Sequence, residues 1–126
     1  MTIYPKQGDV IIIDAEPHSG SEYGGHDPSR GNIRRRMVVV SSTEYNKATH
    51  MIIGMPITTS NRYSNDERYK EILVMGNNCH TMVKGYVVLW QLLNYDFDSR
   101  QGEIVNNVSQ TYLKDLMVYV KDILGV

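Results

Sequence analysis

Three consecutive arginines, Arg34-Arg35-Arg36, close a stretch that follows no regular pattern. Pro17–Arg34 runs for 18 residues, contains four Gly, and shows neither helical nor strand periodicity. Loops longer than ~12–15 residues inside a small domain are usually functional or disordered. From Pro17 to Arg36 the chain carries Arg30, Arg34, Arg35 and Arg36 against only Glu22 and Asp27, although the whole chain has a formal charge of −1. A Gly-rich loop anchored by guanidinium groups can wrap a phosphate backbone, because each guanidinium offers a planar fork of donors. The same residues would also serve as a solvated basic turn that keeps a sheet edge from pairing with other chains. Composition alone leaves both readings open.

Other reactive side chains form no familiar constellation. His18, His26, His50, His80 and Cys79 match none of the spacings that build a zinc site, and Cys79-His80 are chain neighbours, awkward for one tetrahedron. No metal site or cofactor is expected. Ser41-Ser42 lacks the strand–turn–helix setting of a hydrolase nucleophile, and no Gly-rich nucleotide-phosphate loop occurs. Tyr45, Tyr63, Tyr69 and Tyr86 could stack on unpaired bases, although strands and loops commonly use Tyr for packing; stacking is expected of one or two of them.

The elements that must hold these groups are short. Val10–Ala15, Met37–Ser41, Met51–Thr58, Tyr69–Met75 and Val83–Gln91 read as strands, with Gly102–Val105 as a short sixth. Pro56 has no donor for a ladder, so the third strand should meet an edge or a bulge there. Helical periodicity shows only near the end. After Ser109 as N-cap, Leu113, Leu116, Met117, Val120 and Leu124 share one face, and Gly125 supplies a stop. The expected fold is mainly β with a C-terminal helix, a small SH3-like barrel of five to six antiparallel strands forming one domain over residues 1–126. With 126 residues, 41% hydrophobic and 21% charged, the composition is that of a soluble globular protein. One Cys suits a reducing cytoplasm, and no stretch reaches the ~18 apolar residues of a membrane span.

The order of residues resembles the MazF/PemK toxins, a family of type II toxin–antitoxin endoribonucleases. Gly8-Asp9-Val10-Ile11-Ile12-Ile13-Asp14-Ala15-Glu16-Pro17, followed by Gly20-Ser21-Glu22-Tyr23-Gly24-Gly25-His26, looks like the family's opening strand and its Gly-Ser-Glu loop. Arg35-Arg36-Met37-Val38-Val39-Val40-Ser41 stands where the family has Arg-Pro and an apolar strand ending in Ser. Tyr45-Asn46 resembles the Tyr-Asn of the next loop, and Met55–Ser60 resembles the strand that ends in a functional Thr. Three departures stand out: about eight residues, Asp27 to Arg34, lengthen a loop that is commonly short in the family, Arg36 takes the place of Pro, and Trp90 the place of Asp before Gln91.

The resemblance implies a metal-independent cleavage of single-stranded RNA in which the 2′-OH attacks its own phosphodiester. The products are a 2′,3′-cyclic phosphate and a 5′-OH. Position relative to the apolar strand assigns the functional arginine to Arg35, with Arg34 and Arg36 one slip away on either side. Arg35 and Thr58 would donate to the phosphoryl oxygens, where charge gathers. Glu22 and His26 are the candidates for proton transfer. Arg30, Arg34, Arg36, Thr59 and Gln91 are the candidates for RNA contact. The resemblance also implies a homodimer and a cognate MazE/PemI-like antitoxin, whose acidic flexible segment would complement the basic loop. Two other readings compete, a CcdB-like gyrase poison and a non-catalytic SH3-like module that binds RNA or a peptide. The first expects a Trp-Gly-Ile tail, whereas this chain ends Leu124-Gly125-Val126.

Overall fold

The computed structural model describes residues 3–15 and 34–126. Among them, seven strands form one curled antiparallel sheet. In chain order these are β1 (Asp9–Asp14), β2 (Arg34–Val39), β3 (Met51–Thr58), β4 (Tyr69–Val74), β5 (Val83–Val88), β6 (Leu93–Asp96) and β7 (Glu103–Asn107). The spatial order is β4-β5-β3-β2-β1-β7, with β6 pairing β3. Among the described residues there are two α-helices, α1 (Thr43–Thr49) between β2 and β3 and α2 (Gln110–Leu124) at the C-terminus, and a single 3-10 turn at Asn61–Tyr63. The sheet with its terminal helix is the expected fold class, with more strands than five or six. The additional strand, β6, is Leu-Asn-Tyr-Asp, too short and too polar to show a period.

β2 begins three residues earlier than the apolar run suggests, because Arg34, Arg35 and Arg36 pair with Asp14, Ile13 and Ile12 of β1. The arginines are therefore strand residues, and their side chains alternate between the two faces of the sheet. One face carries Val10, Val38, Met55, Ile57, Ile72 and Val87 against Leu113, Leu116 and Val120 of α2. The other carries a second cluster of Ile11, Ile13, Met37, Val39, Ile52, Tyr95 and Phe97. Burying each such side chain contributes ~1.5–3 kcal/mol, so both clusters hold the same strands from opposite sides.

The interruption expected at Pro56 is a change of partner. β3 pairs β6 from Met51 to Gly54 and β5 from Ile57 onward, and Pro56 stands in the gap between them. Helical structure is not confined to the C-terminus: α1 was illegible because it makes only two turns and buries one residue, Asn46. Ser42 caps it by accepting from Tyr45 N–H at 3.1 Å, and His50 ends it in the left-handed region at φ 60°. Asn46 is fully buried; its amide donates to the Pro5 carbonyl at 3.0 Å, and its carbonyl oxygen accepts from the Ser41 hydroxyl. Ser41 Oγ in turn accepts from Ile53 N–H at 3.0 Å, which fastens β2, α1 and β3 together.

α2 begins at the expected Ser109, whose hydroxyl accepts from Tyr112 N–H at 3.1 Å, and ends at Gly125, φ 74°, where Gly carries no Cβ penalty. Leu113, Leu116 and Val120 are buried as expected and Met117 partly so. Leu124 is not: it is 62% exposed and lines an open apolar cleft of about 500 Å³ with Tyr45, Leu92 and Met117. No helix among the described residues is long and apolar enough to cross a membrane.

Candidate functional site

Strand alternation separates the three arginines. Arg34 and Arg36 share the face of Val38, whereas Arg35 shares the face of Met37 and Val39. On β3, Met37 faces Pro56, Val38 faces Met55 and Val39 faces Gly54. The ladder ends at Met37–Pro56, and strand alternation puts Arg35 and Thr58, each two residues beyond that pair, on one face of neighbouring strands.

The row continues on the other side of Thr58. Thr58 faces Tyr86 of β5, and Tyr86 faces Glu71 of β4. Arg35, Thr58, Tyr86 and Glu71 thus cross four strands on the face away from α2. Thr59, Asn61, Glu71, Lys84, Gly85 and Tyr86 line a cleft of about 370 Å³ at this end of the sheet. Thr58 is only 5% exposed, and its hydroxyl oxygen accepts from Ser60 N–H at 3.3 Å, leaving the O–H free to turn toward a ligand.

Gly85 permits this arrangement. A Cβ there would lie 2.4 Å from the Thr58 carbonyl oxygen, so any larger residue would force β5 away from β3. From the opposite face α2 steadies β4, because the Tyr112 hydroxyl donates to the Glu71 carbonyl at 2.8 Å. Burial pushes the Tyr112 phenol far above its ordinary value, so it remains a donor. Burial likewise raises Tyr69, the residue two before Glu71 on the same face, against a smaller opposing effect from the neighbouring Trp90.

The remaining sequence candidates fall elsewhere. Arg34 is committed to structure: its Nη1 lies 2.8 Å from Asp14 Oδ1 and its Nη2 donates to the Gln101 carbonyl at 2.8 Å. Arg36 is half-buried on the α2 side, and its Nε has no hydrogen-bond partner among the described residues. Neither lies on the face of Thr58. Thr59 is exposed and lines the cleft. Gln91, just past β5, is 9% exposed, which sets its amide back from the surface. Glu22, His26 and Arg30 lie outside the described residues. Among the described residues, no three His, Cys, Asp or Glu side chains are grouped so as to hold a metal ion. Glu71, Lys84 and Asn61 were not singled out from the sequence; strand alternation in β4 and β5 would have put Glu71 and Lys84 on polar faces, but not on the same face as Thr58.

Fold and site together define a class: a small curled sheet with a guanidinium and a hydroxyl on one face, near a cleft lined by Thr59, Asn61, Glu71, Lys84 and Tyr86. The sequence profile described as a PemK-like, MazF-like toxin of type II toxin–antitoxin system matches residues 6–124. The chain belongs to this family. It is 38% identical over 58 residues to the endoribonuclease toxin MazF of Escherichia coli (strain K12), an alignment covering 46% of this chain and 45% of that relative. The match to the endoribonuclease MazF of Escherichia coli O157:H7 has the same extent, so the aligned chain spans about half the length of these curated relatives. Among solved structures, MazF from Deinococcus radiodurans superposes with a TM-score of 0.75 at 22% identity, covering 99% of this chain and 100% of that one. A MazE–MazF structure from the same organism gives 0.67 at 19% identity, covering 99% of both chains. A mycobacterial endoribonuclease in complex with its cognate antitoxin gives 0.64 at 17% identity, covering 97% of this chain and 96% of that one. At these identities the superpositions speak for the fold.

Proposed function

We propose that residues 1–126 form one toxin domain that cleaves single-stranded RNA at preferred sequences, without a metal ion. The observation that carries this reading is the placement of Arg35 and Thr58 on one face of neighbouring strands. RNA supplies the nucleophile. The 2′-oxygen bonds to phosphorus as its proton passes to a base, the P–O5′ bond breaks, and the departing 5′-oxygen takes up a proton. The products are a 2′,3′-cyclic phosphate and a 5′-OH. Arg35 contributes two parallel donors to the non-bridging oxygens and Thr58 a third, compensating charge as it develops. Glu22 and His26 are the proposed proton carriers, because both can exchange protons near neutral pH when their surroundings shift them. Thr59 would add an RNA contact at the cleft. The similarity to endoribonuclease MazF and to toxin–antitoxin complexes supports an endoribonuclease that is restrained by an antitoxin. A cytoplasmic homodimer completes the proposal.

The test is incubation of the purified protein with long single-stranded RNA in EDTA, followed by mapping of the cut ends. Wild type should leave 2′,3′-cyclic phosphate and 5′-OH termini. Arg35→Ala and Thr58→Val should each slow cleavage by ~10²–10³. RNA that stays intact with wild type while still binding would mean a non-catalytic RNA-binding module. Protection of cells by a gyrase-resistant host would instead mean a gyrase poison.

A further inference from the structure

Beyond the catalytic row, the same face carries an aromatic pile that the proposed chemistry does not use. The rings of Tyr63 and Tyr69 stack with centroids 4.1 Å apart and planes 14° from parallel. The Arg62 guanidinium lies 4.9 Å from the centre of the Tyr63 ring. Trp90, in the turn after β5, comes close enough to the Tyr69 hydroxyl at the start of β4 to influence it. Rings that only filled a core would be hidden. Here Trp90 is 43% exposed, Arg62 is exposed, and both tyrosines are half-buried.

The pile stands next to the proposed scissile site. Tyr69 faces Val88, one row along from the Glu71–Tyr86–Thr58 row and on the same face. Two residues of strand cover roughly 7 Å, about the reach of the next nucleotide. Asn61, the chain neighbour of Arg62, lines the cleft beside Thr59. A single strand whose phosphate rests on Arg35 and Thr58 and which runs toward Tyr69 along this face brings a flanking base within reach of the aromatic pile.

We infer that Arg62, Tyr63, Tyr69 and Trp90 form a stacking subsite for an unpaired nucleobase that flanks the cleaved phosphodiester. The inference rests on the RNA-cleaving reading above and gives that site a grip on the strand separate from its chemistry. Every base has a π-face, so the subsite accepts any base and strengthens binding rather than reading sequence. Arg62 adds a planar cation that stacks on rings and attracts the backbone.

Trp90 is the chain's single tryptophan, so its fluorescence reports on this subsite alone. The probe is a single-stranded RNA oligonucleotide made uncleavable by one 2′-deoxy substitution at the mapped cut, with binding followed independently by anisotropy of an end label. Binding should quench Trp90, and an abasic residue at one position beside the cut should abolish the quenching. Tyr63→Ala and Arg62→Ala should weaken binding roughly tenfold to a hundredfold while cleavage at saturating RNA stays within a few-fold of wild type. Tyr63→Leu, which keeps the apolar bulk, should weaken binding similarly with an unchanged melting temperature. Unchanged fluorescence at saturating RNA, or quenching that survives every abasic substitution, overturns the inference and leaves the ribonuclease reading standing. A wild-type protein that binds RNA and quenches but never cuts overturns the ribonuclease reading and leaves the subsite. Absence of any binding overturns both.

Discussion

Adjacent arginines of identical chemistry acquire different surroundings because a strand turns successive side chains to opposite faces. Arg34 ends in an ion pair with Asp14 at 2.8 Å and a bond to the Gln101 carbonyl, so its charge is already answered. Arg35, one residue on, lies on the face of Thr58. Arg34→Ala should therefore leave cleavage within a few-fold of wild type. Its partly exposed ion pair costs about 1 kcal/mol or less when broken, which a denaturant titration would register as a small shift. A loss of cleavage as large as that of Arg35→Ala would mean that the wrong guanidinium has been assigned to the phosphate. The sequence narrowed the choice to three residues and named Arg35 by its distance from the apolar run. It could not exclude its neighbours, because the start of β2 depends on pairing with β1 rather than on the apolarity of β2 itself.

At the scale of elements, the site depends on how closely β5 approaches β3. Gly85 leaves room for the Thr58 carbonyl, and a methyl group there would sit 2.4 Å from that oxygen. Gly85→Ala should lower stability by ~1–3 kcal/mol, the usual cost of overpacking, and should also reduce cleavage at temperatures where the protein remains folded. Thermal melting beside a cleavage assay checks both; an unaltered cleavage rate would show that Thr58 keeps its place without tight β3–β5 contact. Sequence reading found β3, β4 and β5 from their β-rich composition, and found the break at Pro56 from its missing donor. It overlooked α1 and β6, because elements of two turns or four residues are formed by their neighbours. Asn46 illustrates this: its type gives no sign of burial, yet it bonds to Pro5 and Ser41 across the fold.

Among the described residues, two clusters hold opposite faces of one sheet, and the site lies on the face of the cluster away from α2. Leu116 is fully buried in the cluster under α2. Leu116→Ala should cost ~2–5 kcal/mol of stability, with cleavage at low temperature nearly unchanged, because the row of Arg35, Thr58, Tyr86 and Glu71 lies on the other face. Equilibrium unfolding and a cold cleavage assay separate the two effects; a parallel loss in both would mean that α2 shapes the site directly. Local signals determined the class of this protein. Alternating and β-branched runs specified strands, Ser109 and Gly125 bounded the last helix, and the Gly-Ser-Glu to Arg order pointed to the family. Those signals act within a few residues, so one chain read in order is enough to find them. Register was decided only in three dimensions. Which arginine shares the face of Thr58, how Tyr86 and Glu71 extend that row, and how Tyr69 comes to face Val88 all depend on pairings between strands. Such pairings are chosen by the mutual burial of both faces, a property of the assembled sheet that no single strand contains.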